Sequence, residues 1–206
     1  MVDEPSFSFA AGQYINVVHP SGERIPFSIA TPPYQLPNLA LHFQPTTGNP
    51  HADLMRELLS QKTLTLEGPG GGTSIDKATH GNLLFVCAGS GFAQAAAMLG
   101  QALIEDQPRR MTILWCCETA NSVYAAERFF DLGSSVSKHL CIDSNRSGTN
   151  AGFRWLKRHA NQLVTDCDLF LCGSPRFVWS ATDLLIEVGV DRARMHSDVY
   201  DYAPRP

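Results

Sequence analysis

The apolar run Leu83-Leu84-Phe85-Val86-Cys87 stops abruptly at Ala88-Gly89-Ser90-Gly91, and an Ala-rich segment of helical character begins at Phe92. A buried strand, a tight glycine turn and a helix, in that order, aim backbone N–H groups and the positive end of a helix dipole at one point. That arrangement suits a diphosphate. The third glycine of the usual dinucleotide fingerprint is absent, since Gln94 or Ala95 stands where it is expected. A plain strand-to-helix turn without a ligand is the competing reading, because small residues punctuate such folds in any case.

The rhythm around this turn sets the fold class. From Gly81 onward, the pattern predicts strands over 83–88, 111–117, 138–142 and 167–172, and helices over 91–106, 122–132, 150–162 and 175–188. Such alternation predicts a Rossmann-like α/β domain, a parallel sheet with right-handed crossovers and helices on both faces. Ligands of these sheets sit beyond the carboxyl ends of the strands, and Gly89–Gly91, Glu118-Thr119 and Cys172-Gly173-Ser174 all fall on that edge. Up to about Ile75 the chain is instead rich in turn residues, with short β-type runs over 12–18, 24–31, 39–43 and 63–66. Short strands separated by Gly and Pro predict a small antiparallel barrel or sandwich. One helix, about His51 to Ser60, interrupts them, with Asn49 as its cap and Pro50 at its first position. The run Gly68-Pro69-Gly70-Gly71-Gly72 reads as a hinge between two domains, 1–75 and 80–202.

Composition narrows the function classes. A net charge of −4 argues against a nucleic-acid partner. No apolar run approaches the roughly 20 residues that span a bilayer, and the acidic start Met1-Val2-Asp3-Glu4-Pro5 is no secretion signal. The six cysteines lie in apolar segments without CxxC spacing, which predicts no metal site and reduced core thiols in a cytoplasmic protein. Cys116 and Cys117, adjacent on a strand, should point to opposite faces.

Three further segments bear on chemistry. In Arg24-Ile25-Pro26-Phe27-Ser28-Ile29-Ala30-Thr31, proline breaks the ladder and leaves Phe27 and Ser28 facing an open cleft. There an aromatic ring and a hydroxyl suit a flat heterocycle with a polar rim, or else belong to an ordinary edge strand. In Leu169-Phe170-Leu171-Cys172-Gly173-Ser174-Pro175, a buried strand ends in a thiol before a helix opened by Pro175. That thiol is either a soft atom beside a reacting ring or a core cysteine. In Met195 to Tyr202, aromatics alternate with acids, giving either a terminal strand or an aromatic lid, with Asp198 either polarising or positioning a nitrogen heterocycle or standing as a solvated turn residue.

The motifs Ala11-Gly12-Gln13-Tyr14, Pro26-Phe27-Ser28, Glu67-Gly68-Pro69, Ala88-Gly89-Ser90-Gly91-Phe92, Cys172-Gly173-Ser174-Pro175 and Asp198-Val199-Tyr200 follow one another in this order. Together, from about Phe7 to Tyr202, they resemble the ferredoxin–NADP reductase superfamily, and most of all its stand-alone bacterial NAD(P)H:flavin reductases. The resemblance implies hydride transfer from NADH or NADPH to FAD, FMN or riboflavin, with no covalent catalyst and most of the rate supplied by positioning. It assigns Arg24, Pro26, Phe27, Ser28, Ile29 and Tyr200 to the flavin. It assigns Gly89, Ser90, Gly91, Phe92, Glu118, Cys172, Gly173 and Ser174 to the nucleotide, and Ser28, Cys172 and Asp198 to the reacting rings.

Departures from the family pattern refine this. The family's phosphate-gripping arginine, two residues before the aromatic, is Ile25 here, which implies a flavin held loosely, as a substrate. Glu118 stands where an arginine often contacts the nucleotide's 2′-phosphate, which implies a preference for NADH. Family members also begin with additional β-structure before the segment matching Phe7 to Gly12, so the resemblance implies a barrel shortened at its N-terminus. Two alternatives accompany this reading: an FAD-holding reductase component feeding a separate oxygenase or iron–sulfur partner, and a non-catalytic nucleotide-binding remnant.

Overall fold

The structure is a computed structural model, and it describes residues 1–43, 51–79, 81–105, 109–143, 149–163 and 166–205. Strand β1 (Tyr14–Val18) pairs antiparallel with β2 (Arg24–Ser28) on one side and β3 (Thr65–Gly70) on the other. Helix α1 (Ala52–Leu59) turns Ala52, Met55 and Leu58 inward, and Met55 and Leu58 pack with Val17 and Ile25 as the core of this lobe. The spacing of three residues between those inward positions is the helical repeat that the sequence carries there. Asn49 and Pro50, read as the start of this helix, lie outside the described residues.

Three details of this lobe differ from expectation. The predicted strand over 39–43 contributes only an isolated bridge, Leu41 to Ile29, plus the bond from Ala30 N–H to the Ala40 carbonyl at 2.9 Å. Strand β2 ends at Ser28, not Thr31, because Pro32 and Pro33 follow closely and cannot extend a ladder. The glycine run is no free hinge. Gly68 to Gly70 complete β3, where Gly70 pairs with Tyr14, and the Tyr14 ring fills the space a side chain on Gly70 would need.

The second lobe is a five-stranded parallel sheet in the order β6-β5-β4-β7-β8: Val136–Ile142, Met111–Cys117, Asn82–Ala88, Cys167–Cys172 and Met195–His196. Helices α2 (Phe92–Ile104) and α3 (Ala126–Phe130) cover one face, and α4 (Thr149–Leu163) and α5 (Pro175–Glu187) cover the other. Burial on both faces explains why the strands read as unbroken apolar runs. Successive residues serve opposite cores: Phe85, Cys87, Trp115, Cys117 and Cys172 lie on the α2 side, and Leu84, Val86, Leu114, Cys116 and Leu171 on the α4–α5 side. Cys116 and Cys117 accordingly diverge, and all six cysteines are free thiols. Among the described residues, no helix is long and apolar enough to cross a membrane, and no cluster of His, Cys, Asp or Glu is arranged to hold a metal ion.

The C-terminal run departs from the strand reading. Only Met195 and His196 pair with β7, and a helical turn, α6 (Val199–Tyr202), follows directly. Residues two apart on a helix point about 200° apart, so the two tyrosines that a strand would align are sent to different places.

Candidate functional site

Because β4 sits in the middle of the sheet, the Gly89–Gly91 turn at its carboxyl end opens at the point where the strand order reverses, which is where α/β sheets bind ligands. Gly89 has a φ of +52° with nothing within 4 Å of the position a side chain would take, so the turn is open above it. Gly91 is the opposite case. Its Cα lies so close to β7 that a Cβ would sit 2.2 Å from the Cys172 carbonyl oxygen. No side chain caps the start of α2, whose first N–H, that of Phe92, donates back to the Gly89 carbonyl, and the positive end of the helix dipole lies at the opening.

Facing this turn across the seam between the lobes is a cavity of about 700 Å³. Arg24, Pro26, Phe27 and Ser28 line it from the three-stranded sheet, and Ser90, Gly91, Gly173 and Asp198 from the parallel sheet. Sequence-assigned residues from four separate motifs therefore converge on one space. Phe27 and Phe43, 6.3 Å apart and edge to face, form an apolar wall, and the Ser28 hydroxyl belongs to the same strip. Arg24 stands at the lip with its Nε donating to both oxygens of Glu67 at 3.0 and 2.8 Å, while Ile25 turns into the core at 3% exposed.

The remaining assigned residues lie elsewhere, each for a packing reason. Ile29 is fully buried behind the wall. Phe92 belongs to the core, stacked on Trp115 with ring centroids 4.3 Å apart. The Trp115 indole N–H donates to the Gly89 carbonyl at 3.0 Å, which ties the turn to the core beneath it. Ser174 caps α5, its hydroxyl accepting from Phe177 N–H at 3.4 Å. Glu118 is exposed past the end of β5, outside the cavity. Tyr200 packs on α5 instead of a cofactor face: its hydroxyl meets Thr182 Oγ1 at 2.7 Å and the Arg192 guanidinium lies 3.6 Å from its ring centre. Tyr202 takes the cavity position. The Cys172 thiol likewise does not face the cavity. The residue is 1% exposed, its thiol lies among the α2-side core residues, and burial followed by the Asp198 charge holds it far above the ordinary cysteine range, as a neutral thiol.

Sequence reasoning missed Tyr14, His42, Gln94 and Tyr202 among the lining residues. Gln94 was visible only as a missing glycine. Asp198 is held by donors from two directions: Thr73 N–H reaches Oδ1 at 2.9 Å and the Gln94 amide reaches Oδ2 at 2.7 Å. Burial raises its pKa, and these hydrogen bonds to the charged form oppose the rise.

His42 marks a second junction between the lobes. One of its ring nitrogens, Nδ1, lies 2.7 Å from the Tyr124 hydroxyl, and the other accepts from Arg128 Nη1 at 3.2 Å, while Arg128 also donates to the Ala30 carbonyl. Burial, then the Arg128 charge, lowers the His42 pKa to about 4. With the folded pKa below the unfolded value, the unfolded chain takes up the proton first. This contribution to stability is complete above about pH 6.5 and drains away as the pH falls toward 4. Thermal melts of wild type and His42→Gln across that window should converge as the pH drops. Parallel curves would show that His42 does not titrate there.

No protein-family model matches the chain. Over 207 residues it is 24% identical to reductase component 1 of the terephthalate 1,2-dioxygenase of Comamonas sp., covering 95% of this chain and 60% of that protein. It is 23% identical to a probable flavin reductase of Photobacterium leiognathi, covering 95% of this chain and 88% of that one. The chain thus spans about 60% of the length of the first curated relatives it matches. In fold, the Amycolatopsis cytochrome P450 reductase GcoB superposes with a TM-score of 0.80 at 21% identity, over 95% of this chain and 62% of that structure. A ferredoxin NADP+ reductase from Neisseria gonorrhoeae, with FAD and NADP bound, superposes with a TM-score of 0.69 at 17% identity, over 94% and 88%. A three-stranded antiparallel sheet joined to a five-stranded parallel one, with six motifs in order and matches spanning nearly the whole chain, gives this protein the sequence pattern and fold of the ferredoxin–NADP reductase superfamily.

Proposed function

We propose that the chain is an NAD(P)H-dependent flavin reductase, with residues 1–75 as the flavin domain and 80–202 as the nucleotide domain. The observation that carries this reading is the cavity of about 700 Å³ shared by the Phe27–Ser28 wall and the Ser90–Gly91 turn. Its volume is in the range that cofactor-sized ligands occupy. Its residues also fit the groups concerned: an aromatic wall for a flat ring, and an open glycine turn at the positive end of a helix for a diphosphate.

Reduced nicotinamide would supply the hydride and a flavin would accept it. The protein's part is to bind, orient and exclude water. Phe27 offers a stacking face, Ser28 a hydroxyl for the polar rim of the flavin, and the Gly89–Gly91 turn the N–H groups for the nucleotide diphosphate. Asp198 presents a carboxylate, held in place by Thr73 and Gln94, to the same space. At the end of β7 it is Gly173, not the Cys172 thiol, that lines the wall. Arg24 is already engaged by Glu67, so its grip on a flavin phosphate is weak, which supports a loosely held flavin used as substrate. A cytoplasmic setting, with its reduced thiols, belongs to the same proposal.

The test is NADH oxidation with and without each free flavin, together with the visible spectrum of the purified protein. A colourless protein that oxidises NADH only when FMN, riboflavin or FAD is added supports the proposal. No oxidation with any flavin, despite nucleotide binding, would overturn it in favour of a non-catalytic nucleotide binder. Co-purification of yellow FAD would support the second reading, a reductase component passing electrons to a separate protein; the oxygenase reductases among the relatives favour it.

Glu118, exposed past the end of β5, should repel a 2′-phosphate. At roughly 1 kcal/mol for two charges about 4 Å apart in water, kcat/KM for NADH should exceed that for NADPH by about fivefold, and Glu118→Gln should shrink the gap. Equal values for the two nucleotides in the wild type would refute this role.

A further inference from the structure

Gln94 is the third residue of α2, directly behind the glycine turn, and its amide nitrogen has a partner on each side of the seam. Nε2 donates to the Gly12 carbonyl at 2.6 Å and to Asp198 Oδ2 at 2.7 Å, and the residue is 6% exposed. Gly12 lies just ahead of β1, whose Tyr14 and Asn16 line the cavity. The other Asp198 oxygen accepts from Thr73 N–H, just beyond β3. One carboxylate and one carbonyl thus approach each other from different lobes, with the Gln94 amide between them.

Two acceptors brought this close in a buried site need a donor between them, or their lone pairs are left unpaired out of water. A carboxamide supplies two N–H groups from one nitrogen and adds no charge. A glycine or alanine at this position supplies none, so the replacement of the fingerprint glycine has a consequence beyond helix packing.

We infer that Gln94 is a positioning residue, setting the separation of the two lobes and holding the Asp198 carboxylate toward the cavity. The inference rests on the flavin-reductase reading for its kinetic effect, but not for its structural one. Loss of the amide should act on turnover more than on nucleotide binding, because the Gly89–Gly91 backbone that would hold the diphosphate is untouched.

Two variants test it. Gln94→Met keeps length and volume and removes both donors. Its kcat should fall about tenfold to hundredfold, the loss expected for a buried hydrogen bond to a charged group, with KM for NADH within about twofold of wild type. Gln94→Glu places a second carboxyl against Asp198. Near neutral pH it should be as slow as the Met variant, and it should recover toward the wild-type rate as acid supplies a shared proton. A merely structural role would not produce that pH-dependent rescue.

Carbon-13 NMR of the Asp198 carboxyl gives a readout independent of turnover. Without the amide, Asp198 should titrate at higher pH in Gln94→Met than in wild type. Wild-type kcat in the Met variant, or a Glu variant with the same fractional loss at every pH, overturns the kinetic role. An unshifted Asp198 titration overturns the hold on the carboxylate. Should the wild type fail to oxidise NADH with any flavin, the functional reading falls, and the NMR titration alone still decides what Gln94 does. If the Met variant does not fold, the pH series and the titration on the Glu variant decide.

Discussion

Gly91→Ala should be close to a null variant in both stability and nucleotide binding. The backbone there is ordinary, φ −58° and ψ −17°, so alanine is excluded not by conformation but by what lies against it. Its Cβ would stand 2.2 Å from the Cys172 carbonyl oxygen, 2.5 Å from the Cys172 carbonyl carbon and 2.8 Å from the Gly173 nitrogen. All three are backbone atoms at the end of β7, so no rotamer change relieves the overlap. Either β7 moves away from its neighbours or the start of α2 tilts out of the cavity, and both disturb the turn that carries the proposed diphosphate site. Overpacking against backbone belongs to the severe tail of single substitutions, about 4 kcal/mol or more, which for a chain of this size lowers Tm by about 8–16 °C. Gly89→Ala is the internal comparison. It faces open space and suffers only the left-handed backbone penalty, about 1–2 kcal/mol. Melting curves and NADH titrations of the pair should rank them clearly. A Gly91→Ala protein that melts with the wild type would mean α2 and β7 are not packed this closely.

Trp115→Ala should cost about 3–5 kcal/mol, the range for removing a large aromatic from a core. Trp115 is fully buried, stacks on Phe92 at 4.3 Å, and meets Phe129 at 5.5 Å and Tyr124 at 5.7 Å. Its removal leaves a hole directly beneath the first turn of α2. The more informative substitution is Trp115→Phe. It retains most of the ring packing but loses the N–H that holds the Gly89 carbonyl, so its Tm should fall by only a few degrees. Affinity for NADH should weaken severalfold, because the turn loses its tie to the core beneath it. If Trp115→Phe weakens stability and NADH binding in the same proportion as Trp115→Ala, the indole N–H has no separate role. Both predictions place the sensitivity of the site in what lies under the glycine turn.

How legible the protein was depended on the range of the interaction concerned. The parallel sheet was readable because a strand buried on both faces must be apolar throughout, and the runs at 83–88, 111–117 and 167–172 match β4, β5 and β7 to within a residue. The divergence of Cys116 and Cys117 followed from strand geometry alone. The first lobe was less legible. Residues 39–43 have strand-like composition, yet form one bridge, because pairing depends on a distant partner and not on local preference. At the C-terminus, the alternation of aromatic and acidic residues favoured a strand, while the tertiary fold made a helical turn that puts Tyr202 on the cavity and Tyr200 on α5.

By itself, the sequence determined the element types of the nucleotide lobe, the glycine turn at the end of its central strand, and the facing residues Phe27 and Ser28. Those properties are carried by neighbours along the chain: apolar periodicity, glycine at a positive φ, and proline at a strand edge. Only the tertiary structure decided which side chains share the cavity. It buried the Cys172 thiol beneath the glycine turn, set Phe92 on Trp115, and brought Gln94 to Gly12 and Asp198, partners 82 and 104 residues away. A contact across such separations exists only once two independently patterned lobes have packed together.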